Sequence, residues 1–263
     1  MIPVVIPFYK NKAQLNKCLL HLRNQTIPVE IYIRDNSTNN IYFTAAINEG
    51  IRHFLSKKNK YIILLNQDMY LEPNAVLEMV NFMNRNPHCG IGAPLQIHPQ
   101  RSDYVIWAGC FEAFPLGKHQ HGPRSAFNNN EPIYWANGAC MILRREMIEE
   151  IGLMDKNFVF IGSDSDYSFT ARSRGWEIWR IASACGVHDH GASGNSGNLN
   201  IESLKIKDML FFSKKWLTGG LYKMMAFEGN SLSPEVIATF VKKLEHAQYL
   251  NLKEMEGQMR MEV

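Results

Sequence analysis

Asp68 is the residue around which chemistry in this chain has to be arranged. It closes the stretch Tyr61-Ile62-Ile63-Leu64-Leu65-Asn66-Gln67-Asp68, where five apolar or aromatic residues give way to two amides and an acid. A run of that kind reads as a strand covered on both faces. The carboxylate therefore stands just past the strand's carboxyl end, where open α/β sheets bind their ligands. An acid placed there, beside side-chain amides, is suited to hold a divalent cation through oxygen. The competing role is a turn or a helix N-cap, since Pro73 and Asn74 open a helix soon afterwards. Other chemistries find less support. No GxGxxG or GxxxxGK(S/T) follows any strand, so neither a dinucleotide fingerprint nor a P-loop is present. Cys18, Cys89, Cys110, Cys140 and Cys185 are widely spaced and form no CxxC pair, which speaks for free thiols in a reducing compartment and against a zinc site.

The elements that would position Asp68 alternate strand and helix. Ile2 to Pro7 is a first buried strand, and Asn11 can cap a helix that aligns Leu15, Cys18, Leu19 and Leu22. Val29 to Ile33 is a second strand, ending in the polar loop Arg34 to Asn40. A second helix carries Ala46, Ile47, Gly50, Ile51, Phe54 and Leu55. The strand before Asp68 comes third, followed by a helix with Val76, Leu77, Val80 and Met83. This order predicts right-handed βαβ units and a mostly parallel sheet. Ile91 to Leu95 is a fourth strand, after which shorter strands lie around Tyr104–Trp107 and Cys140–Leu143. Between them Phe114 to Pro132 reads as a long mobile loop, and its His119 and His121 as solvated side chains. Arg145 to Ile151 is a short helix. Asp164-Ser165-Asp166 opens another, with Gly175 at its C′ position. Glu177–Ile181 and Gly186-Val187 are final strand pieces that lead into His188-Asp189-His190-Gly191-Ala192-Ser193.

From about Asn200 the pattern turns helical. Leu204, Met209 to Phe212, Trp216 and Leu217 form one apolar segment interleaved with Lys205, Lys207, Lys214 and Lys215; Val236 to Leu252 form a second. Such a helix can rest on a bilayer surface or cap the sheet, and capping is the preferred reading. The 263 residues allow one large α/β domain with a helical appendage. A net charge of +3 without any Lys/Arg block argues against nucleic acid as a partner. No leader precedes the first strand, and no apolar run approaches the roughly 20 residues of a membrane span. A soluble, cytoplasmic protein is expected.

Seven segments then stand in a telling order: Val4-Val5-Ile6-Pro7-Phe8-Tyr9, Ile33-Arg34-Asp35-Asn36-Ser37, Asn48-Glu49-Gly50, Leu65-Asn66-Gln67-Asp68, Trp135-Ala136-Asn137-Gly138-Ala139-Cys140-Met141, Phe160-Ile161-Gly162-Ser163-Asp164-Ser165-Asp166, and His188 to Ser193. Together they resemble the family 2 glycosyltransferases, and more closely a bacterial, rhamnosyltransferase-like branch. The resemblance runs from Met1 to about Ser196. It implies an α/β fold of the GT-A, nucleotide-diphospho-sugar transferase type. Residues 1–198 would be the catalytic domain, divided into a nucleotide-binding half (1–96) and an acceptor-binding half (97–198), with a C-terminal helical extension over 199–263. It also implies that Pro7, Phe8, Tyr9, Asp35, Asn48, Asn66, Gln67 and Gly138 face the sugar nucleotide, and that Asp68 with His188 or His190 holds a divalent cation (Mn2+ or Mg2+). Two positions depart from the family pattern: Asn66 stands for the first acid of the metal motif, and Ser163 for a Glu before the base.

Transfer from a nucleotide sugar leaves a diphosphate with added negative charge, which a divalent ion stabilises. The acceptor hydroxyl needs a carboxylate to take its proton, and the resemblance places that base at Asp164, with Asp166 orienting the acceptor. Helix capping is the competing role for either acid. A single base opposite the leaving group gives one displacement with inversion. Asp35 can accept from the N3–H of uracil or thymine, so a UDP- or dTDP-linked donor is expected, with a guanine donor left open through its N1–H; the competing role of Asp35 is an Asx-turn. The expected function is an inverting, metal-dependent hexosyltransferase of bacterial surface polysaccharide synthesis. It would act on a glycan or lipid-linked acceptor, with peripheral membrane contact through the C-terminal helices. The rivals are a sugar-nucleotidyltransferase and a catalytically silent sugar-nucleotide-binding scaffold.

Overall fold

The computed structural model describes residues 1–111, 119–189 and 199–216, together with 242, 245, 246, 248–250 and 253. The described strands are β1 (Ile2–Phe8), β2 (Val29–Asp35), β3 (Tyr61–Leu65), β4 (Met69–Leu71), β5 (Cys89–His98), β6 (Arg101–Trp107), β7 (Gly122–Pro123), β8 (Glu131–Pro132), β9 (Cys140–Arg144) and β10 (Glu177–His188). The helices are α1 (Lys12–Arg23), α2 (Tyr42–Leu55), α3 (Ala75–Arg85), α4 (Arg145–Ile151), α5 (Ser163–Arg172) and α6 (Leu199–Trp216).

The sheet runs β2-β1-β3-β9-β5-β10-β4. Pairing is parallel for β1 with β2, β1 with β3, and β5 with β10. It is antiparallel where β9 enters between β3 and β5 and where β4 meets β10. The expected α/β class is present, in a sheet that is mixed beyond its first three strands. The chain reaches β9 from β5 through β6, β7 and β8 with no crossover α-helix described between them, and β9 runs antiparallel to both neighbours.

Alternation along the strands sends side chains to opposite faces. Val4, Ile6, Ile63 and Leu65 pack with Cys18, Leu22, Val76, Met79 and Met83 of α1 and α3. Val5, Ile62 and Leu64 pack on the other face with Ile47, Ile51 and Phe54 of α2 and with Met147, Ile148 and Tyr167. Each fully buried side chain of this kind contributes about 1.5–3 kcal/mol. Gly50 lets α2 lie close on β1, because a Cβ there would stand 2.2 Å from Val5 Cγ1. Asn11 caps α1 as expected, accepting from Gln14 N at 3.1 Å.

Three local readings need correction. Met69–Leu71 is a strand, which the sequence reading did not place between Asp68 and the helix expected soon after it. The two final strand pieces are one continuous β10 with a register shift between Ile181 and Cys185. The part of the expected mobile loop that lies within the described residues is anchored. It carries β7 and β8, Arg124 makes a two-pronged contact with Glu72 at 2.9 and 3.0 Å, and Arg180 bonds Ala108 O, Gln120, Asn129 O and Glu131. There His121 Nδ1 lies 2.7 Å from Tyr104 Oη, and His119 packs edge-on against Trp135.

Helix α6 caps α5 and the 155–162 loop. Phe212 is fully buried against Phe158 and Phe169, and Trp216 packs on Phe169. Most of the second apolar segment, 236–252, lies outside the described residues. No described helix is long and apolar enough to cross a membrane.

Candidate active site

The carboxyl ends of β1, β2 and β3 share one rim. Gln67 braces it: its Oε1 accepts from Tyr9 N at 2.7 Å, and its Nε2 donates to Tyr9 O at 3.3 Å and Gln14 Oε1 at 3.2 Å. Its amide is thus engaged in holding Tyr9 against the end of β3. Pro7 is half-buried, Phe8 is buried at 4% exposure, and Tyr9 is exposed. Of the three residues expected to wall a base, Tyr9 alone offers an open ring. Asp35 is exposed at the end of β2 and makes the Asx-turn, its Oδ1 accepting from Ser37 N at 2.8 Å. The Ser37 hydrogen bonds hold its carboxyl below the ordinary range. Lys10 N donates to Ser37 Oγ and Asn36 N to Phe8 O, which stitches the two loops together. Lys10 and Tyr42 have φ of 55° and 61°, a left-handed conformation that is uncommon without glycine and gathers at functional loops.

Asp68 meets His188 across the β4–β10 pairing. His188 is the register partner of Met69, Asp189 N donates to Asp68 O at 2.9 Å, and His188 Nε2 lies 3.6 Å from Asp68 Oδ1. Both side chains are largely buried. His188 Nδ1 lies 2.7 Å from Gln96 Oε1 on β5. An amide oxygen only accepts, so Nδ1 is the donor of that bond, and Nε2 is the ring nitrogen that faces Asp68. Metal-binding histidines are oriented in this way, by a carbonyl or carboxylate on the other ring nitrogen. An imidazole nitrogen and a carboxylate oxygen at this separation fit a divalent cation. Among the described residues no group of three or more His, Cys, Asp or Glu is set to hold one. His190 lies outside the described residues. Asn66 contributes backbone: its N donates to Ala139 O at 2.9 Å and its O accepts from Met69 N.

Asp164 lies in the first turn of α5. Its Oδ2 accepts from Gly138 N at 2.7 Å and its Oδ1 from Ser165 N at 2.8 Å. Burial of the carboxyl outweighs these bonds and pushes its pKa up. A Cβ at Gly138 would stand 3.0 Å from Phe43 Cζ and 3.2 Å from Asp164 Oδ2, a tight fit that glycine avoids. Ala139 joins Gly138 to Asn66, so Asp164 is tied to the rim on which Asp68 stands. Ser163 is buried and its Oγ has no hydrogen-bond partner among the described residues.

Two expected site residues are engaged elsewhere. Asn48 donates to Met154 O at 2.9 Å and accepts from Met154 N at 3.1 Å, at 4% exposure. Both amide atoms brace α2 against the segment before α5, a structural contact in place of the expected nucleotide contact. Asp166 is buried, with Lys215 Nζ at 2.7 Å and Trp216 Nε1 at 2.6 Å from its Oδ1. Burial raises its pKa, opposed by Lys215. It anchors α6 where the sequence suggested contact with an acceptor. Gln96, Lys215 and Trp216 were missed as parts of this site. An isolated glutamine in the otherwise apolar β5 was the available signal for Gln96.

The family model described as "Glycosyltransferase like family 2" matches residues 30–193. The O-antigen biosynthesis protein RfbC of Myxococcus xanthus is 28% identical over 140 residues, which are 50% of this chain and 11% of that protein. The low-salt glycan biosynthesis hexosyltransferase Agl10 of Haloferax volcanii is 21% identical over 170 residues, 61% of this chain and 52% of that protein. The chain thus matches about a tenth of one relative's length and about half of the other's. Among solved structures, GalNAc-T7 with UDP, GalNAc and Mn2+ has a TM-score of 0.57 at 12% identity, covering 94% of this chain and 57% of that one. S. aureus TarS has a TM-score of 0.56 at 10% identity, covering 84% and 40%. At these identities the likeness shows the fold, which is α/β of the GT-A type.

Proposed function

The chain belongs to the glycosyltransferase-like family 2, and on that premise we propose that it is an inverting, metal-dependent hexosyltransferase. The donor we infer is a UDP- or dTDP-linked sugar, and the acceptor a hydroxyl of a glycan or lipid-linked glycan in bacterial surface polysaccharide synthesis. A rhamnosyltransferase-like specificity is the finer reading. The observation that carries the proposal is the arrangement of Asp68, His188 and Gln96 on the same sheet rim to which Asp164 is tied through Gly138 and Ala139.

In this reading residues 1–96 hold the nucleotide, 97–198 the acceptor, and 199–263 form a helical extension. Tyr9 offers its exposed ring to the base or ribose, and Asp35 keeps one carboxyl oxygen for a base N–H while the other closes its turn. Asp68 and His188 Nε2 would hold the divalent cation, with His190 as the alternative imidazole. When bound, the cation neutralises charge on the leaving diphosphate. Asp164 takes the proton from the acceptor hydroxyl as its oxygen attacks the anomeric carbon. Attack from the face opposite the departing diphosphate inverts that centre. The raised pKa makes Asp164 a stronger base than an exposed carboxylate once it is ionised.

Melting of the protein with a panel of UDP-, dTDP- and GDP-sugars, with and without Mn2+, tests the binding half of this reading. Ligands that bind the native state alone raise its melting temperature. We expect the largest rise with a uridine or thymidine donor plus Mn2+. No rise with any sugar nucleotide under either condition contradicts the proposal.

A further inference from the structure

Asp208 is an unusual residue for the middle of a helix. It is fully buried in α6, although aspartate is a poor helix former and a buried carboxylate must find partners. Its partners come from another segment. Val159 N donates to Oδ1 and Oδ2, both at 3.1 Å, while Phe160 N and Ile161 N donate to Oδ2 at 2.6 and 2.9 Å. Three consecutive backbone donors converging in this way form an anion-binding concavity, filled here by a side chain from the following helix.

That backbone is the approach to α5. Immediately after Ile161 comes Gly162, at φ 78° in the N-cap position, and Asp164 follows in the first helical turn. Two turns further along α6 from Asp208, on the same face, Lys215 Nζ reaches Asp155 Oδ2 at 3.1 Å and Asp166 Oδ1 at 2.7 Å. Trp216 Nε1 joins it on Asp166, and Phe212 fills the space between these polar contacts by packing on Phe158 and Phe169. The segment from Asp155 to Asp166 is therefore gripped at both ends and in its middle by one helix face. Asp164 is the acid in that segment that α6 leaves alone.

We propose that α6 is a clamp that sets the position of Asp164, with Asp208 and Lys215 as its positioning residues. The catalytic part of this inference rests on the reading of Asp164 as the base. The structural part does not. Asp166, paired inside the clamp, serves the same positioning task.

Amide hydrogen exchange and steady-state kinetics on the full chain test both parts, comparing the unmodified protein with Asp208→Ala, Asp208→Asn and Lys215→Met. In Asp208→Ala we expect exchange over 159–166 to quicken at least tenfold while β1 and β3 keep their protection. Asp208→Asn retains one acceptor oxygen and should fall in between. In each variant kcat should drop at least tenfold with the KM for the donor within twofold. If Asp208→Ala does not fold, Asp208→Asn and Lys215→Met carry the comparison. The clamp is overturned if only 159–161 loosen while 162–166 stay protected, or if kcat is unchanged. If the unmodified protein turns over no sugar nucleotide, the reading of Asp164 as a base falls, and the exchange data alone decide whether α6 positions the entry to α5.

Discussion

Asp164 Oδ2 lies 2.7 Å from the backbone nitrogen of Gly138. This bond joins the first turn of α5 to the loop before β9, and the next residue, Ala139, accepts from Asn66 N at the end of β3. The acid is thereby located relative to the sheet rim by backbone groups, which no rotamer change can move.

The bond makes Gly138→Ala a sharp probe. The added methyl would press on Phe43 Cζ at 3.0 Å and on the acid itself at 3.2 Å. Overpacking of this kind costs about 1–3 kcal/mol. We expect a lowered melting temperature and a fall in kcat of about 10- to 100-fold, since small misplacements at a reacting centre are expensive. Unchanged kcat at lowered stability would place the acid outside the chemistry.

The pH dependence follows from the raised pKa of Asp164, whose cause is burial. A base works only when ionised, so the acidic limb of kcat/KM should lie above the ordinary carboxylate value of about 3.9. For stability the sign is opposite. The native state binds this proton more tightly than the unfolded chain does, so the stabilisation is complete below the unfolded pKa and is lost as pH rises through the native one. Asp164→Asn removes that dependence. Melting temperature measured against pH should therefore show the variant gaining on the parent protein as pH rises across that window. Parallel curves would show that Asp164 titrates normally.

Gln96 orients His188 of the proposed metal pair. Replacing it with Met keeps the volume but removes the carbonyl that orients the imidazole at 2.7 Å. Loss of such a partner costs about 10- to 100-fold in metal affinity. Titrating Mn2+ against the nucleotide-dependent rise in melting temperature should show that shift for Gln96→Met and a larger one for Asp68→Asn. An unaltered Mn2+ midpoint in both variants would refute the assignment of this pair.

Asn48→Ala separates bracing from binding. It strands the N–H and carbonyl of Met154 in a buried setting, at about 1–3 kcal/mol for each unsatisfied group. Denaturant unfolding should register a loss of a few kcal/mol, with affinity for nucleotide unchanged. Weakened nucleotide binding at full stability would restore Asn48 to the binding site.

The first three strand–helix units were legible because each pairs a continuous apolar run with a periodic helix. Asp68 could be placed for the same reason, since a run ending in Asn66, Gln67 and Asp68 marks a strand's carboxyl end. The roles of neighbouring polar residues were not. Asn48 and Asp166 sit in motif positions, yet the direction in which each side chain points is decided by Met154 and by Lys215, far along the chain. Periodicity carries no information about such long-range partners. β4 escaped notice because three residues between Asp68 and Glu72 are too few to show alternation. Nothing in the residues around Asp208 sets it apart, and only the backbone of 159–161 reveals its use.

The central claim is that Asp164 performs proton transfer at a sugar-nucleotide site. Its most direct test is release of nucleoside diphosphate from the best-binding sugar nucleotide, with acceptor and Mn2+ present, by the unmodified protein and by Asp164→Asn. The unmodified protein should turn over, giving a product with an inverted anomeric centre. In Asp164→Asn kcat should fall at least a hundredfold, with donor affinity retained. Equal turnover by the two proteins, or a product that keeps the donor's anomeric configuration, would contradict the claim.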